Sequence, residues 1–301
     1  MDLTQQLHLE EATGWRRGLY EDVMSTFRAP IVNSIWRALV ANRPYAARHL
    51  WSAVKPTFET RAFAAFSVRY RDRVLTALEG DDGTVGLPSY APGDVDCSPS
   101  EFAALRAQLA TFDVVAPRLA ALFTVCDRAC SGEFEGPRDG HAATAPAPKW
   151  LDADRGARVT VLDSDAAREA IPETVADIDA YHGTEFLASI YRCFAQWPTA
   201  LERFWADVEP LREGTGEAGF EAAEAAAAET VEDFADRPPV PFTVTTESLA
   251  AAGVEDPDAA LADLQDTFAT FAASVSGVLP FLHAAAASVD ATGERNWRLG
   301  E

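Results

Sequence analysis

The sequence predicts an all-α fold built from two tandem helical repeats that form a pseudo-dimer within one chain. Three observations predict this class. Apolar residues recur every three or four positions along most of the chain, which is the spacing of one helix face. Only two short segments, 157–163 and 241–246, have the composition of strands. The stretch "IVNSIWRALVANRPYAARHLW" (31–51) also returns, with one gap, as "FLASIYRCFAQWPTALERFW" (186–205).

The two copies keep similar residue types at matching places. The matching pairs are Asp22 and Asp177, Ser34 and Ser189, Ile35 and Ile190, Trp36 and Tyr191, Arg37 and Arg192, Leu39 and Phe194, Pro44 and Pro198, and Trp51 and Trp205. An aromatic, arginine and proline pattern kept with a single gap indicates an internal duplication. We therefore expect a first repeat over 1–131, a linker over 132–163 rich in Gly, Pro and Ala, and a second repeat over 164–301.

Each copy is expected to contain two consecutive helices that meet at a proline. Pro30 fits the first turn of a helix. Pro44 and Pro198 cannot continue the helices before them, so each should end one helix and open the next. Pro56 and Pro210 should stop the second helices. The apolar stripes of the first helices are Ile31, Ile35, Ala38 and Leu39 in one copy, and Phe186, Ile190, Phe194 and Trp197 in the other.

Further helices follow in each half. Residues 98–129 open with the capping residue Ser98 and a proline, then carry a helical apolar stripe. Residues 256–287 have the same form, and 219–236 reads as an acidic surface helix. Two similar helical halves would bury their stripes against each other, and the seam between them is the expected place for a pocket.

Charge limits the classes of function. The 301 residues include 47 acidic and 25 basic side chains, a formal net charge of −22, and lysine occurs only as Lys55 and Lys149. Such a surface suits a salt-rich cytoplasm, so we expect a halophilic, haloarchaeal-type source. Nucleic-acid binding is not expected, because phosphate contacts need clustered cations. We expect no signal peptide, no membrane span and a cytoplasmic location.

Metal and cofactor motifs are absent from the sequence. Cys126 and Cys130 are four apart on one helix face, which is not the spacing of a zinc or redox pair, and Cys97 and Cys193 stand alone. We expect four reduced thiols. The histidines form no ligand motif, and no phosphate-binding, dinucleotide or nucleophile-elbow motif occurs. We therefore expect no metal and no cofactor.

The first copy is similar to the first repeat of the DehI-type 2-haloacid dehalogenases, an all-α family that accepts D and L substrates. The family's opening motif is matched by "YEDVMSTFRAP" (20–30), and its aromatic-proline corner by "AQWP" (195–198). The resemblance implies hydrolytic removal of halide from the α carbon of a short 2-haloacid. A carboxylate activates a water that attacks carbon directly with inversion, without a metal or an enzyme ester.

The resemblance also locates the family's catalytic pair, and here this chain departs from it. The water-activating Asp falls at Ile190, and the essential Asn falls at Ala116, so neither position can handle a proton. Pocket-wall positions of the family fall at Ile31 and Ser34. The full expected pocket lining is Ile31, Ser34, Ile35, Ala116, Ser189, Ile190 and Phe268.

Two residues are candidates to replace the missing base. Asp113 lies within an apolar helix and is either a base facing the seam or an exposed position on an acidic protein. His182 is either a base near the pocket mouth or a loop or cap residue before a glycine. Tyr191 reads as a core residue.

Two recurring polar pairs have open alternatives. Arg37 and Arg192 either bind a substrate carboxylate or form outward salt bridges, and the second reading is favoured by their position on the helix. Ser189, like Ser34, is either an anion donor or a small packing residue.

These observations predict a 2-haloacid dehalogenase-like hydrolase whose catalytic Asp and Asn positions are replaced. The alternatives are an enzyme of small carboxylic acids with a substitute base, and a protein that binds or senses such an acid. The expected partner is a small carboxylic acid, and a homodimer is left open.

Overall fold

The computed structural model describes residues 1–80, 86–137, 143–151, 156–184, 187–214 and 218–297, with the backbone alone at 273–276. The helices are α1 (Gly14–Phe27), α2 (Ser34–Asn42), α3 (Pro44–Phe58), α4 (Arg61–Glu79), α5 (Pro99–Ser131), α6 (Ser164–Ala170), α7 (Pro172–His182), α8 (Ser189–Phe194), α9 (Pro198–Asp207), α10 (Glu209–Arg212), α11 (Phe220–Asp236), α12 (Thr246–Ala251), α13 (Pro257–Val275) and α14 (Leu279–Ser288). Within these ranges no strand occurs, so the all-α class is confirmed.

The two strand candidates are wrong. Residues 157–163 are irregular, and 241–245 lead directly into α12. Their backbone groups pair with the helical parts of the chain instead of a neighbouring strand. Leu162 N–H donates to the Arg192 carbonyl at 3.3 Å, and Val244 N–H donates to the Ala129 carbonyl at 3.0 Å. A β-rich composition without a second strand alongside cannot form a ladder.

The corner prolines behave as expected in both copies, while two other prolines do not. Pro44 and Pro198 open α3 and α9. Pro30 was expected in a first helical turn, but α2 begins only at Ser34 because the side chain of Asn33 accepts from Trp36 N–H at 3.0 Å and caps the helix there.

Pro56 does not stop its helix, because α3 continues through it to Phe58. A proline this close to a helix end removes one backbone hydrogen bond, and two further residues can still follow. In the second copy α9 ends at Asp207 and Pro210 lies in the first turn of α10, so that expectation is confirmed.

Matched residues of the two copies make matched contacts. The Trp51 indole N–H donates to Asp22 at 2.8 Å, and the Trp205 indole N–H donates to Asp177 at 2.6 Å. The Trp36 and Trp51 rings meet edge to face at 86°, and the Tyr191 and Trp205 rings meet at 85°. The repeated sequence therefore produces the same local packing twice. Phe186, which belongs to the expected stripe of the second copy, lies outside the described residues.

Helices of the two halves pack on each other. In the first half α4 and α5 contact α11, α13 and α14 of the second. The acidic helix predicted over 219–236 is α11, and one of its faces, which the composition did not indicate, is buried against α4. Phe234 on that face contacts Phe58, Phe63 and Phe66 of the first half. Acidic residues cover the opposite face and hide the apolar stripe in the composition.

The helix predicted over 256–287 is divided. Helix α13 ends at Val275, a 3-10 turn spans Ser276–Val278, and α14 starts at Leu279 with Pro280 in its first turn. Proline lacks the N–H that would join it to the preceding helix, so the chain restarts there.

Helix α5 is the longest helix described, at 33 residues. It contains an 18-residue window that is long and apolar enough to cross a membrane by length and composition alone, which is weak evidence for a membrane span. The protein buries 67% of that window. Helix α5 is apolar because α4, α11, α13 and α14 surround it.

Candidate functional site

The residues expected to line the pocket differ in their exposure. Ile35, Ile190 and Phe268 are buried, while Ala116 is partly buried in the middle of α5. Ser34 and Ser189 are exposed first residues of α2 and α8. Ile31 precedes α2 and is 39% exposed, so its expected place in a buried helical stripe is wrong. A single lining formed by all seven residues stays a prediction.

A buried acid–base cluster surrounds Asp113, which is 0% exposed. Its Oδ1 lies 2.7 Å from His283 Nδ1, on α14. Its Oδ2 accepts from the Gly293 backbone N–H at 2.8 Å and lies 3.1 Å from Nε of Arg71, on α4. The alternative of an exposed Asp113 is therefore excluded, and three separate parts of the chain meet at this carboxylate.

The cluster keeps Asp113 ionised. Burial by itself raises the pKa of Asp113, but its electrostatic contacts and hydrogen bonds with His283, Arg71 and the Gly293 N–H together lower it below the ordinary value. An ionised carboxylate at Oδ1 can only accept, so the Nδ1 of His283 carries the hydrogen. Arg71 is also held by the Glu294 carbonyl, which accepts from its Nη1 at 2.7 Å.

Two polar atoms beside this cluster have no hydrogen-bond partner among the described residues. They are Nε2 of His283 and Oη of Tyr70, and both side chains are fully buried. The two ring centroids are 5.5 Å apart. Burial and the nearby Asp113 charge raise the pKa of Tyr70 well above its ordinary value, so its hydroxyl stays protonated.

Sequence reasoning identified Asp113 and missed its partners Arg71 and His283, as well as the neighbouring Tyr70. One signal for His283 was available in the sequence. It is a lone histidine inside the apolar run "LPFLHAAAA" (279–287), just as Asp113 is a lone acid inside an apolar stretch of α5. Nothing in the spacing of 170 residues between His283 and Asp113 indicates that the two meet.

Asp113 should make stability depend on pH in a defined direction. Its pKa in the folded state is lowered, so its contribution is complete above the unfolded-state pKa of about 3.9 and is lost as the pH falls through the folded-state value. We expect the stability difference between the native protein and Asp113→Asn to be constant near neutral pH and to shrink below about pH 4. Urea unfolding at fixed salt over a pH series measures it, and an equal difference at all pH values would contradict it.

His182 lies in a second, separate cluster. It ends α7, where Gly183 adopts a left-handed conformation, so its reading as a residue at a helix end is supported. Its Nε2 is 2.7 Å from Oη of Tyr191, a buried core residue as expected. Burial lowers the pKa of His182, partly opposed by Asp179, which favours the neutral ring.

The recurring arginines do not form the expected salt bridges among the described residues. Nη1 of Arg192 donates to the Leu162 carbonyl at 3.2 Å. Burial lowers the pKa of Arg37, opposed by Tyr20 and Glu10. Both arginines are partly buried. Binding of a substrate carboxylate by either one stays a prediction.

Metal binding has no support in the part of the chain that the structure describes, where no group of three or more His, Cys, Asp or Glu side chains could hold an ion. Cys97, Cys126, Cys130 and Cys193 are free thiols.

The fold is that of the 2-haloacid dehalogenases. It superposes on a D-2-haloacid dehalogenase mutant in complex with D-2-CPA with a TM-score of 0.75, at 19% identity over 94% of each chain. A D-2-haloacid dehalogenase in complex with L-LA gives a TM-score of 0.74, at 20% identity over 94% of this chain and 95% of that one. At these identities the likeness establishes the fold alone.

The chain belongs to the family described as halocarboxylic acid dehydrogenase DehI, whose model matches residues 30–189. An (R)-2-haloacid dehalogenase of Pseudomonas putida is 26% identical over 199 residues, which are 64% of this chain and 63% of that protein. The match thus spans less than two thirds of that relative. The family match ends at Ser189, immediately before Ile190.

Proposed function

We propose that this protein hydrolyses the carbon–halide bond of short 2-halocarboxylic acids by direct attack of water. The observation that carries the proposal is the family match over more than half of the chain. In this reaction the water oxygen forms a bond to the α carbon, the halide leaves with the electron pair of the broken bond, and a base takes the water proton. The product is a 2-hydroxy acid of inverted configuration.

The base must come from a residue other than those the family resemblance designates. Ile190 and Ala116 occupy the places of the catalytic Asp and Asn, and hydrocarbon side chains cannot accept a proton. Of the two substitutes, we favour the Asp113 cluster over His182. The cluster contains a buried nitrogen without a partner, while the Nε2 of His182 already contacts Tyr191.

The test is formation of lactate from racemic 2-chloropropionate in molar KCl, measured by chiral chromatography because chloride release is masked by the salt. We expect lactate from the native protein, and a loss of about 10²- to 10⁴-fold in rate in Asp113→Asn, because general-base catalysis by the cluster is then lost. His182→Gln should retain its rate. If the rate is lost in His182→Gln and kept in Asp113→Asn, the base lies in the second cluster, around His182. An inactive native protein would refute the proposed hydrolysis.

A second candidate function is binding or sensing of a small carboxylic acid, favoured by the hydrocarbon residues at both family catalytic positions. If the native protein is inert, Ile190→Asp with Ala116→Asn should restore hydrolysis in a lapsed dehalogenase. Ile35→Asp is the matched control, since Ile35 is the buried counterpart of Ile190 in the first copy. If all are inert, thermal shifts with small acids would support binding.

We further propose that the repeats over 1–131 and 164–301, joined by the linker over 132–163, are related by a pseudo-two-fold axis. The matched Asp–Trp contacts of the two copies support this. The net charge of −22 supports a haloarchaeal-type source and a salt-rich cytoplasm. Light scattering would decide between a monomer and a homodimer.

A further inference from the structure

We infer that His283, positioned by Asp113, is the base that accepts the proton of the attacking water, and that Tyr70 borders the same water site. This inference names the catalytic atom within the cluster and its kinetic part rests on the proposed function. The base is then an imidazole positioned by a carboxylate, whereas the family resemblance implies that a carboxylate itself is the base.

The first step is the state of the His283 ring. Asp113 is ionised and its Oδ1 lies 2.7 Å from Nδ1, so this nitrogen is the donor. In a neutral imidazole the other nitrogen, Nε2, then has a free electron pair. The Asp113 carboxylate fixes the tautomer and the ring orientation, which is the arrangement a histidine base needs.

The second step concerns what the free electron pair on Nε2 of His283 can contact. His283 is 0% exposed, and its Nε2 has no partner among the described residues. Leaving a buried polar atom unsatisfied costs about 1 to 3 kcal/mol, so such atoms normally face an ordered water or a ligand. The hydroxyl of Tyr70 is a second atom of this kind, on a ring 5.5 Å away. Two such atoms are the minimum that holds a buried water.

The third step is the choice between His283 and Asp113 as the atom that takes the proton. Both oxygens of Asp113 are already engaged, by His283 on one side and by Gly293 and Arg71 on the other. These contacts lower the pKa of Asp113, which makes it a weak base. Asp113 therefore acts as a positioning residue, while Nε2 of His283 is the open acceptor.

The proposed reaction balances. Nε2 of His283 takes one proton from water as the water oxygen bonds to the α carbon, and the halide leaves with the electron pair of the carbon–halide bond. The resulting imidazolium is stabilised by the Asp113 carboxylate, and it returns its proton to solvent after the hydroxy acid leaves. No further reactant is required.

One test does not depend on enzymatic activity. Nitrogen NMR of the full chain labelled at histidine, assigned with His283→Gln, should show His283 at neutral pH with hydrogen on Nδ1 and none on Nε2. A ring with hydrogen on Nε2, or on both nitrogens, would overturn the inference. In Asp113→Asn we expect the tautomer preference to be lost, which a merely structural aspartate elsewhere would not cause.

The kinetic test compares His283→Gln, Tyr70→Phe and His49→Gln. His283→Gln should lower kcat by about 10²- to 10⁴-fold with KM little changed. Tyr70→Phe removes one oxygen from the core and should lower kcat less. His49, whose Nε2 is 3.1 Å from Oγ of Ser248, lies outside the cluster and serves as the control with unchanged rate.

The outcomes separate the two proposals. If the native protein is active and kcat is unchanged in both His283→Gln and Tyr70→Phe, His283 is not the base. The proposed hydrolysis would be unaffected by that result. An inactive native protein would overturn the hydrolysis and with it the kinetic role. The NMR spectra would then still establish whether His283 presents an unprotonated nitrogen to the buried site.

Discussion

Replacing Asp113 with alanine is expected to lower the free energy of unfolding by about 3 to 5 kcal/mol. The substitution removes a carboxylate that lies 3.1 Å from Nε of the fully buried Arg71, and it leaves the Nδ1 of His283 and the Gly293 N–H without their acceptor. Breaking one partner of a buried charged cluster costs far more than the cluster contributes in net terms. Urea unfolding in molar KCl measures the change.

The control is Glu229→Ala, which removes a carboxylate from a solvent-exposed pair with Arg73 on the face of α11. An exposed pair of this kind contributes only about 0 to 1 kcal/mol. A loss of unfolding free energy in Asp113→Ala no larger than that in Glu229→Ala would mean that water reaches the cluster. Asp113→Asn keeps the volume and should fall between the two.

Replacing Phe281 with alanine is expected to cost about 3 to 5 kcal/mol in unfolding free energy. Phe281 is buried in α14. The centroid of its ring lies 4.3 Å from the ring centroid of Tyr191, 5.0 Å from that of Phe204 and 5.7 Å from that of Trp205. It thus joins α14 to the second copy of the repeated pair of helices. Truncation leaves a cavity that these large rings cannot fill.

The matched control is Trp150→Ala, because Trp150 is a large aromatic residue that is 64% exposed and pairs edge to face with Trp297. One such pair contributes about 0.5 to 1.5 kcal/mol, and little other contact is lost there. Thermal unfolding of both variants at the same salt concentration gives the comparison. Similar losses for Phe281→Ala and Trp150→Ala would contradict the packing described for α14.

The sequence was sufficient for the all-α class, because the spacing of apolar residues along a helix is local information. The corner prolines at 44 and 198 were predicted for the same reason. Pro30 was misplaced because the start of α2 depends on a cap three residues later, from Asn33. The burial of α11 was missed because alanines form much of its apolar face, and their small side chains add little to an apolar signal among many glutamates.

The candidate site could be predicted only in part. Asp113 was visible as an acid in an apolar helix, and such a residue needs partners when it is buried. The identity of those partners depends on which faces of α4 and α14 meet α5, and that is a property of packing across the whole chain. Exposure of Ser34 and Ser189 could not be anticipated either, since helix phase alone does not show which end of a helix reaches water.

The backbone contacts from residues 293 and 294 to the cluster have a consequence for synthesis and for sequence change. Asp113 leaves the ribosome 180 residues before Gly293, and Arg71 leaves it earlier still, so the cluster can be completed only after residues 293 and 294 have been synthesised. Residues 293 and 294 contribute a main-chain N–H and a carbonyl, so neither of these contacts with the cluster is made by a side chain of the two residues. The side chain at position 293 is nevertheless restricted to glycine, because a Cβ there would lie 2.7 Å from Cζ of Arg71. Even alanine would therefore displace residues 293 and 294 from the cluster.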